Sequence, residues 1–344
     1  MPYRKKRALL AAVLALLAAA YALALFFDPQ RSAGRAARFT WLPPGARDQA
    51  DRIEISRSGE TLELVLRNGA WFALPGPESS GPGPAEGPAE NLTGPGPAVE
   101  IPVKQGRVDD LFRILGTRGS FPRRGSSASS HEDLGLGSGA SRLVIRGGPG
   151  LPLLDLLVGR EDPSGREVFL RKTGENEFRS GDRLIASYVN GGGTSWYDMK
   201  LFEETSPAQV QRVRVRFIGY TGAPGAPGDP PPAEYEDYAV ARNGETWTVA
   251  GESAAAETVD GWIRGILEAQ GEDLIPLPGG FQPAAEITVD LGDGSSLSLA
   301  IGNAGENGGS PALVKGRPYG FTLPQWTVSR LLLRRESLRA SGST

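Results

Sequence analysis

The chain contains no cysteine, one histidine and two methionines in 344 residues. Without Cys there can be no disulfide, thiolate nucleophile, iron–sulfur cluster, Cys-bearing zinc site or lipoprotein-type anchor. A lone His131 is a poor basis for a histidine-built metal site or a His-relayed nucleophile. Basic runs are missing beyond the first seven residues. Arg4, Lys5, Lys6 and Arg7 are four of the 37 basic residues, and all 40 acidic residues follow position 27. The remainder therefore holds 33 basic against 40 acidic residues, a net charge of −7 that disfavours nucleic-acid binding. Neither a Gly-x-Ser-x-Gly elbow nor a Gly-Lys-Ser/Thr phosphate loop occurs.

Glycine (47) and proline (28) are abundant, yet hydrophobic residues make up 39% of the chain, enough for a packed core. Residues 8–27 form an unbroken apolar run after the basic tip 1–7. Twenty helical residues span roughly 30 Å, one hydrocarbon thickness. The positive-inside rule leaves the tip in the cytoplasm and exports the rest, as in a single-pass protein of a bacterial inner membrane. A signal peptide cut at Ala22-Leu23-Ala24 is the rival reading, but Leu25, Phe26 and Phe27 continue the apolar stretch beyond that cut. Residues 28–50 read as a polar stalk containing Pro43-Pro44-Gly45.

Past the stalk the sequence says the same thing twice. Arg52-Ile53-Glu54-Ile55 and Arg212-Val213-Arg214-Val215 are alternating strands. Asn68-Gly69 precedes Trp71 and Asn243-Gly244 precedes Trp247, a strong hairpin signal in each case. Val108, Leu111, Phe112 and Leu115 share the spacing 0, 3, 4, 7 with Val259, Trp262, Ile263 and Ile266. Each set is one buried stripe of a short amphipathic helix, with Gly116 and Gly271 as the stops. Strand pairs follow: Leu143–Ile145 with Leu154–Gly159, then Ile287–Val289 with Leu297–Gly302. Val168-Phe169-Leu170 and Leu313-Val314 open a further strand each. The expected fold is α+β, with two tandem repeats at 51–207 and 208–336 and a tail at 337–344. Each repeat is a mainly antiparallel sheet with one packed helix. Residues 75–98 (13 of 24 Gly or Pro) and 222–232 are low-complexity insertions, and 120–130 is Ser/Gly/Arg-rich.

Several of these elements together resemble a known family: the anchor, Ile53-Glu54-Ile55, Asn68-Gly69-Ala70-Trp71, Leu134-Gly135-Leu136 before Val158-Gly159, and Trp196-Tyr197-Asp198. The family is a bacterial one of membrane-anchored repeat domains of unknown function, often encoded beside the gliding-motility-type auxiliary component of an ABC transport system. The resemblance implies a transporter-associated role and no catalytic residues. The insertion at 75–98 departs from the family's compact form.

Each polar candidate has a plain structural explanation. His131, beside Glu132 and Asp133, lies in a hydroxyl-rich loop rather than in a triad. Gly135-Leu136-Gly137-Ser138-Gly139 precedes a strand and reads as a turn, not a phosphate cradle. Asp290-Leu291-Gly292-Asp293-Gly294 lacks the distal ligand of a calcium loop and reads as a hairpin turn. Asp109/Arg113 and Asp260/Arg264 read as i,i+4 ion pairs. Arg212, Arg214 and Arg216 form the solvent face of a strand. Trp196 and Tyr197, at the repeat junction, read as packing between repeats, or else as a partner-contact platform. No catalytic, cofactor-binding or metal-ligating residue is assigned. The expected function is a non-catalytic extracytoplasmic accessory or scaffold protein for an ABC-type transport complex. The alternative is an envelope glycan-binding module or a hydrolase using paired carboxylates.

Overall fold

In the computed structural model, residues 39–74, 99–117, 121–148, 151–220, 235–277, 280–305 and 308–340 are described, together with Leu17 and Tyr21. The expected anchor 8–27 lies outside them except for Leu17 and Tyr21, as do both Pro/Gly insertions. Among the described residues no helix is long and apolar enough to cross a membrane.

The chain divides into a unit ending at Tyr197 and one beginning at Asp198. The first contains β1 (Arg52–Arg57), β2 (Glu60–Arg67), β3 (Ala70–Leu74), β4 (Ile101–Pro102), β5 (Arg123–Gly125), β6 (Ser141–Gly147), β7 (Leu151–Glu161), β8 (Glu167–Lys172) and β9 (Phe178–Asp182). Its helices are α1 (Ala46–Gln49), α2 (Gln105–Gly116) and α3 (Leu184–Asn190). The second contains β10 (Val210–Phe217), β11 (Tyr238–Asn243), β12 (Thr246–Val249), β13 (Glu252–Ser253), β14 (Asp273–Ile275), β15 (Ala285–Leu291), β16 (Ser296–Ile301), β17 (Gly309–Val314) and β18 (Gly320–Pro324). Its helices are α4 (Ala256–Leu267) and α5 (Gln325–Leu331).

The strand order is β4-β3-β2-β1-β6-β7-β8-β9-β5 in the first sheet and β13-β12-β11-β10-β15-β16-β17-β18-β14 in the second. These are one topology written twice, strand for strand. The registers agree as well: Ile53 faces Ile145 and Ile55 faces Leu143, while Val213 faces Val289 and Val215 faces Ile287. In each unit a long helix (α2 or α4) is inserted before the last edge strand, with its 0, 3, 4, 7 stripe buried. The core of the first unit is Ile53, Leu64, Trp71, Leu111, Leu115, Leu143, Ile145 and Leu156, each essentially inaccessible. Alternation along β1 and β10 follows from the period of two: one face is buried and the other solvated.

The hairpins differ by one residue. Arg67 pairs with Ala70, so Asn68 and Gly69 are the two-residue loop, both at positive φ (51° and 83°), as a type I′ turn requires. In the second unit Asn243 pairs with Thr246, so the loop is Gly244-Glu245, and Gly244 is at φ 62°. Trp71 and Trp247 nevertheless both stand second in their strands. Gly159 sits where the β7–β8 register shifts, and a Cβ there would lie 2.3 Å from the Leu134 carbonyl oxygen. The Leu134-Gly135-Leu136 loop is therefore seated on that bare backbone, with Leu136 fully buried.

Six expectations are corrected. A second helix follows the ninth strand of each unit (α3, α5), so there is more than one helix per repeat. Residues 39–50 are no stalk. Trp41 and Leu42 are buried, their backbone amides donate to the Leu115 carbonyl, and Arg47 pairs with Asp109. The seam falls ahead of 207, because the Leu201 amide donates to the Ala269 carbonyl and the Gly271 amide to Met199, which ties 199–201 into the second unit. Residues 337–340 are no free tail. Leu338 is buried, Ala254 bridges to Arg339, and Ala340 donates to Ser253. Finally, α4 stops at Leu267. Gly271 lies instead against Phe321, whose ring a Cβ at this position would approach to 2.6 Å, and Leu313-Val314 ends β17 rather than opening it.

Candidate functional site

Most of the polar candidates are taken up by structure. The His131 imidazole is buried, with Nε2 3.0 Å from the Asn176 carbonyl and its edge against Phe178. The neighbouring Glu132 carboxylate accepts the Ser138 amide at 3.2 Å. The first set ties the loop to residues 176–178 and the second folds it on itself. Asp293 accepts both the amide (2.8 Å) and the hydroxyl (2.6 Å) of Ser295, which hold its carboxyl below the usual range. Asp290 is paired with Arg214 at 2.9 Å. Both carboxylates of that loop thus serve the hairpin and its sheet. Among the described residues there is no group of three or more His, Cys, Asp or Glu able to hold a metal ion.

The duplicated Asp/Arg pairs do not form as i,i+4 contacts. Asp109 pairs with Arg47 of α1, Arg113 turns back to Asp110 at 2.7 Å, and Asp260 accepts the indole N–H of Trp247 at 2.8 Å. Groups outside the helix took Asp109 and Asp260, and Arg113 took the aspartate three residues back, since an exposed i,i+4 pair is worth only a few tenths of a kcal/mol. Arg212, Arg214 and Arg216 lie on the exposed face of β10 as expected, with Val213 and Val215 buried behind them.

Trp196 and Tyr197 are only 1% and 7% exposed. The Trp196 indole N–H donates to the Tyr188 carbonyl at 3.1 Å, and the Arg107 guanidinium stacks on both the Tyr188 and Trp196 rings, 4.8 Å from each centroid. Tyr197 bridges to Val103, and burial pushes its phenol up. These partners belong to the first unit, where the pair fastens the start of α2 to α3. Packing is what the structure shows, against these residues of the first unit. Neither ring offers a platform to a partner.

A groove in the second unit has the features those residues lack. It has a volume of about 470 Å³ and lies between the end of α4, the following turn and α5. Trp326 stands in it 63% exposed, whereas Trp41, Trp71, Trp196, Trp247 and Trp262 are all buried. Arg330, one turn on, holds its guanidinium 6.0 Å from the Trp326 ring centroid. Glu268, Gln270 and Glu272 line the facing side, and Thr327 lines the floor. Thr327 is 5% exposed, and its hydroxyl finds no hydrogen-bond partner. Sequence reading passed over this site, although a signal was there. The apolar stripe of α5 runs through Val328 and Leu331, and Trp326 lies off it. A large ring beside a helix stripe, instead of within it, is a residue the core does not need. The same offset from the buried triplet Ile185, Ala186, Val189 of α3 is occupied by Leu184, which is also exposed.

No family model, curated protein or solved structure matches this chain.

Proposed function

We propose that the chain is a non-catalytic, single-pass extracytoplasmic accessory protein. Residues 8–27 anchor it in a bacterial inner membrane, and its two sheet units hold or gate a partner in an ABC-type transport or gliding-motility-like complex. The observation that carries this reading is the repetition of one nine-strand order in both units, together with the structural duties that occupy His131, Asp260, Asp290 and Asp293. A duplicated scaffold whose polar side chains secure loops and strands suits a holder better than a catalyst. The assignment of the partner rests on the family resemblance and on the basic tip and apolar run.

Crosslinking of the full chain in intact membranes of its host, followed by identification of what co-purifies, tests the proposal. Recovery of the chain in the membrane fraction with transporter subunits is the expected result. A chain free in the cytosol, or one crosslinked to no transporter subunit, would overturn it.

A further inference from the structure

The Trp326 groove combines an aromatic face with polar groups of both kinds. Its carboxylates, Glu268 and Glu272, can only accept hydrogen bonds and take part in no ion pair among the described residues. Arg330 can only donate. The Gln270 amide does both, and so does the Thr327 hydroxyl, which the protein leaves without a partner. A ligand that satisfies such a set must carry groups that donate and accept at once, and hydroxyls do so. Phosphates and other anions are opposed by the two carboxylates, a cation meets Arg330 as well as those carboxylates, and a neutral ligand brings no charge that has to be desolvated. The exposed indole asks for an apolar face to cover it, with C–H groups directed at its negative π surface. A neutral pyranose has this combination: hydroxyls around its rim and a C–H face. The groove's volume is in the range that takes ligands of a few rings.

We infer that the groove formed by Glu268, Gln270, Glu272, Trp326, Thr327 and Arg330 is a binding site for a neutral oligosaccharide, with one sugar ring stacked on Trp326. Thr327 lines the same groove, and its hydroxyl, closed off from solvent while the groove is empty, has no partner within the protein. Leu184, at the corresponding place in the first unit, has no indole to stack on. That place in the first unit therefore lacks the stacking surface, which provides a control within the same chain.

Trp326 is the one tryptophan among the six that solvent reaches freely, so acrylamide quenching of the full chain in a sugar-free detergent reports on this groove. The probes are chitotriose, cellotriose and maltotriose. Saturable protection by at least one of them, with a Kd of about 0.1–1 mM, is the expected result. Binding followed by calorimetry disappears in Trp326→Ala, while protection weakens about tenfold in a Glu268→Gln, Glu272→Gln double variant and is unchanged in Leu184→Ala. Far-UV circular dichroism of each variant establishes that it is folded, and Trp326→Phe, which keeps a ring, retains binding when followed by calorimetry. The inference is overturned if none of the three sugars protects the folded chain at about 10 mM, if Trp326→Ala binds the sugar equally by calorimetry, or if only a lysine-rich peptide or a nucleotide protects. The measurement uses the chain alone, so it can fail while the transporter reading stands, and the reverse.

Discussion

At the scale of single residues, equivalent positions in the two units have taken different work. Asp109 and Asp260 occupy the same place on α2 and α4. Asp109 meets an arginine at the surface, while Asp260 accepts the N–H of a buried tryptophan. In the first unit the Trp71 indole N–H is buried without a partner, and Arg47 stacks over its ring at 5.6 Å. A hydrogen bond from a buried donor to a charged acceptor is worth about 1.5–3 kcal/mol, whereas an exposed ion pair is worth about 0.2–1 kcal/mol. Asp260→Ala should therefore lower stability by about 1.5–3 kcal/mol, and Asp109→Ala by less than about 1 kcal/mol. Urea titrations of the two variants check this, and equal shifts in midpoint would contradict it. The identity of the two aspartates was plain in the sequence. Their different partners were not, because Trp247 and Arg47 lie 13 and 62 residues away along the chain.

At the scale of elements, the clearest relation is a reversal of charge. Glu54 on β1 accepts a two-pronged contact from Arg146 on β6, at 2.9 and 3.2 Å. At the matching positions of the second unit Arg214 on β10 donates to Asp290 on β15 at 2.9 Å. The cross-strand geometry is kept and the signs are exchanged. It is the pairing across the two strands, rather than the sign at either position, that the sheet requires. Arg146 holds the Glu54 carboxyl below its ordinary value, so the pair's contribution is present above about pH 4.3 and is lost as pH falls through the lowered value. Glu54→Arg or Arg146→Glu alone should cost about 0.5–1 kcal/mol, and the double exchange should recover most of it. A double-mutant cycle at neutral pH and at pH 3 tests this. Coupling that persists undiminished at pH 3 would refute the electrostatic account. The strands themselves were legible from alternation, but the ion pairs needed the register, which a list of strands does not contain.

At the scale of the whole molecule, two units each hold a complete nine-stranded sheet with its own covering helices. Residues 199–201, which pair with 269–271, and residues 338–340, which pair with 253–255, come from that unit's own chain. A fragment comprising residues 198–344 should therefore fold alone, with a cooperative urea transition and protected β-sheet amides. A fragment begun at 208 lacks the pairing to Ala269 and Gly271 and should be less stable. If both fragments are equally stable, or neither folds, the seam at Tyr197/Asp198 is misplaced.

Sequence alone determined the duplication, the α+β class, the two amphipathic helices and the hairpin signals at the Asn-Gly pairs. Each of these is written in local periodicity and turn chemistry, which operate over a few residues. Tertiary structure decided what depends on distant neighbours. It drew Trp41 and Leu42 into the first core, enclosed Trp196 and Tyr197 within one unit, gave Asp109 and Asp260 partners from outside their helices, and left Trp326 beside a buried hydroxyl at the edge of a groove. Burial and pairing are properties of the space a residue shares with others, and adjacency along the chain does not encode that space.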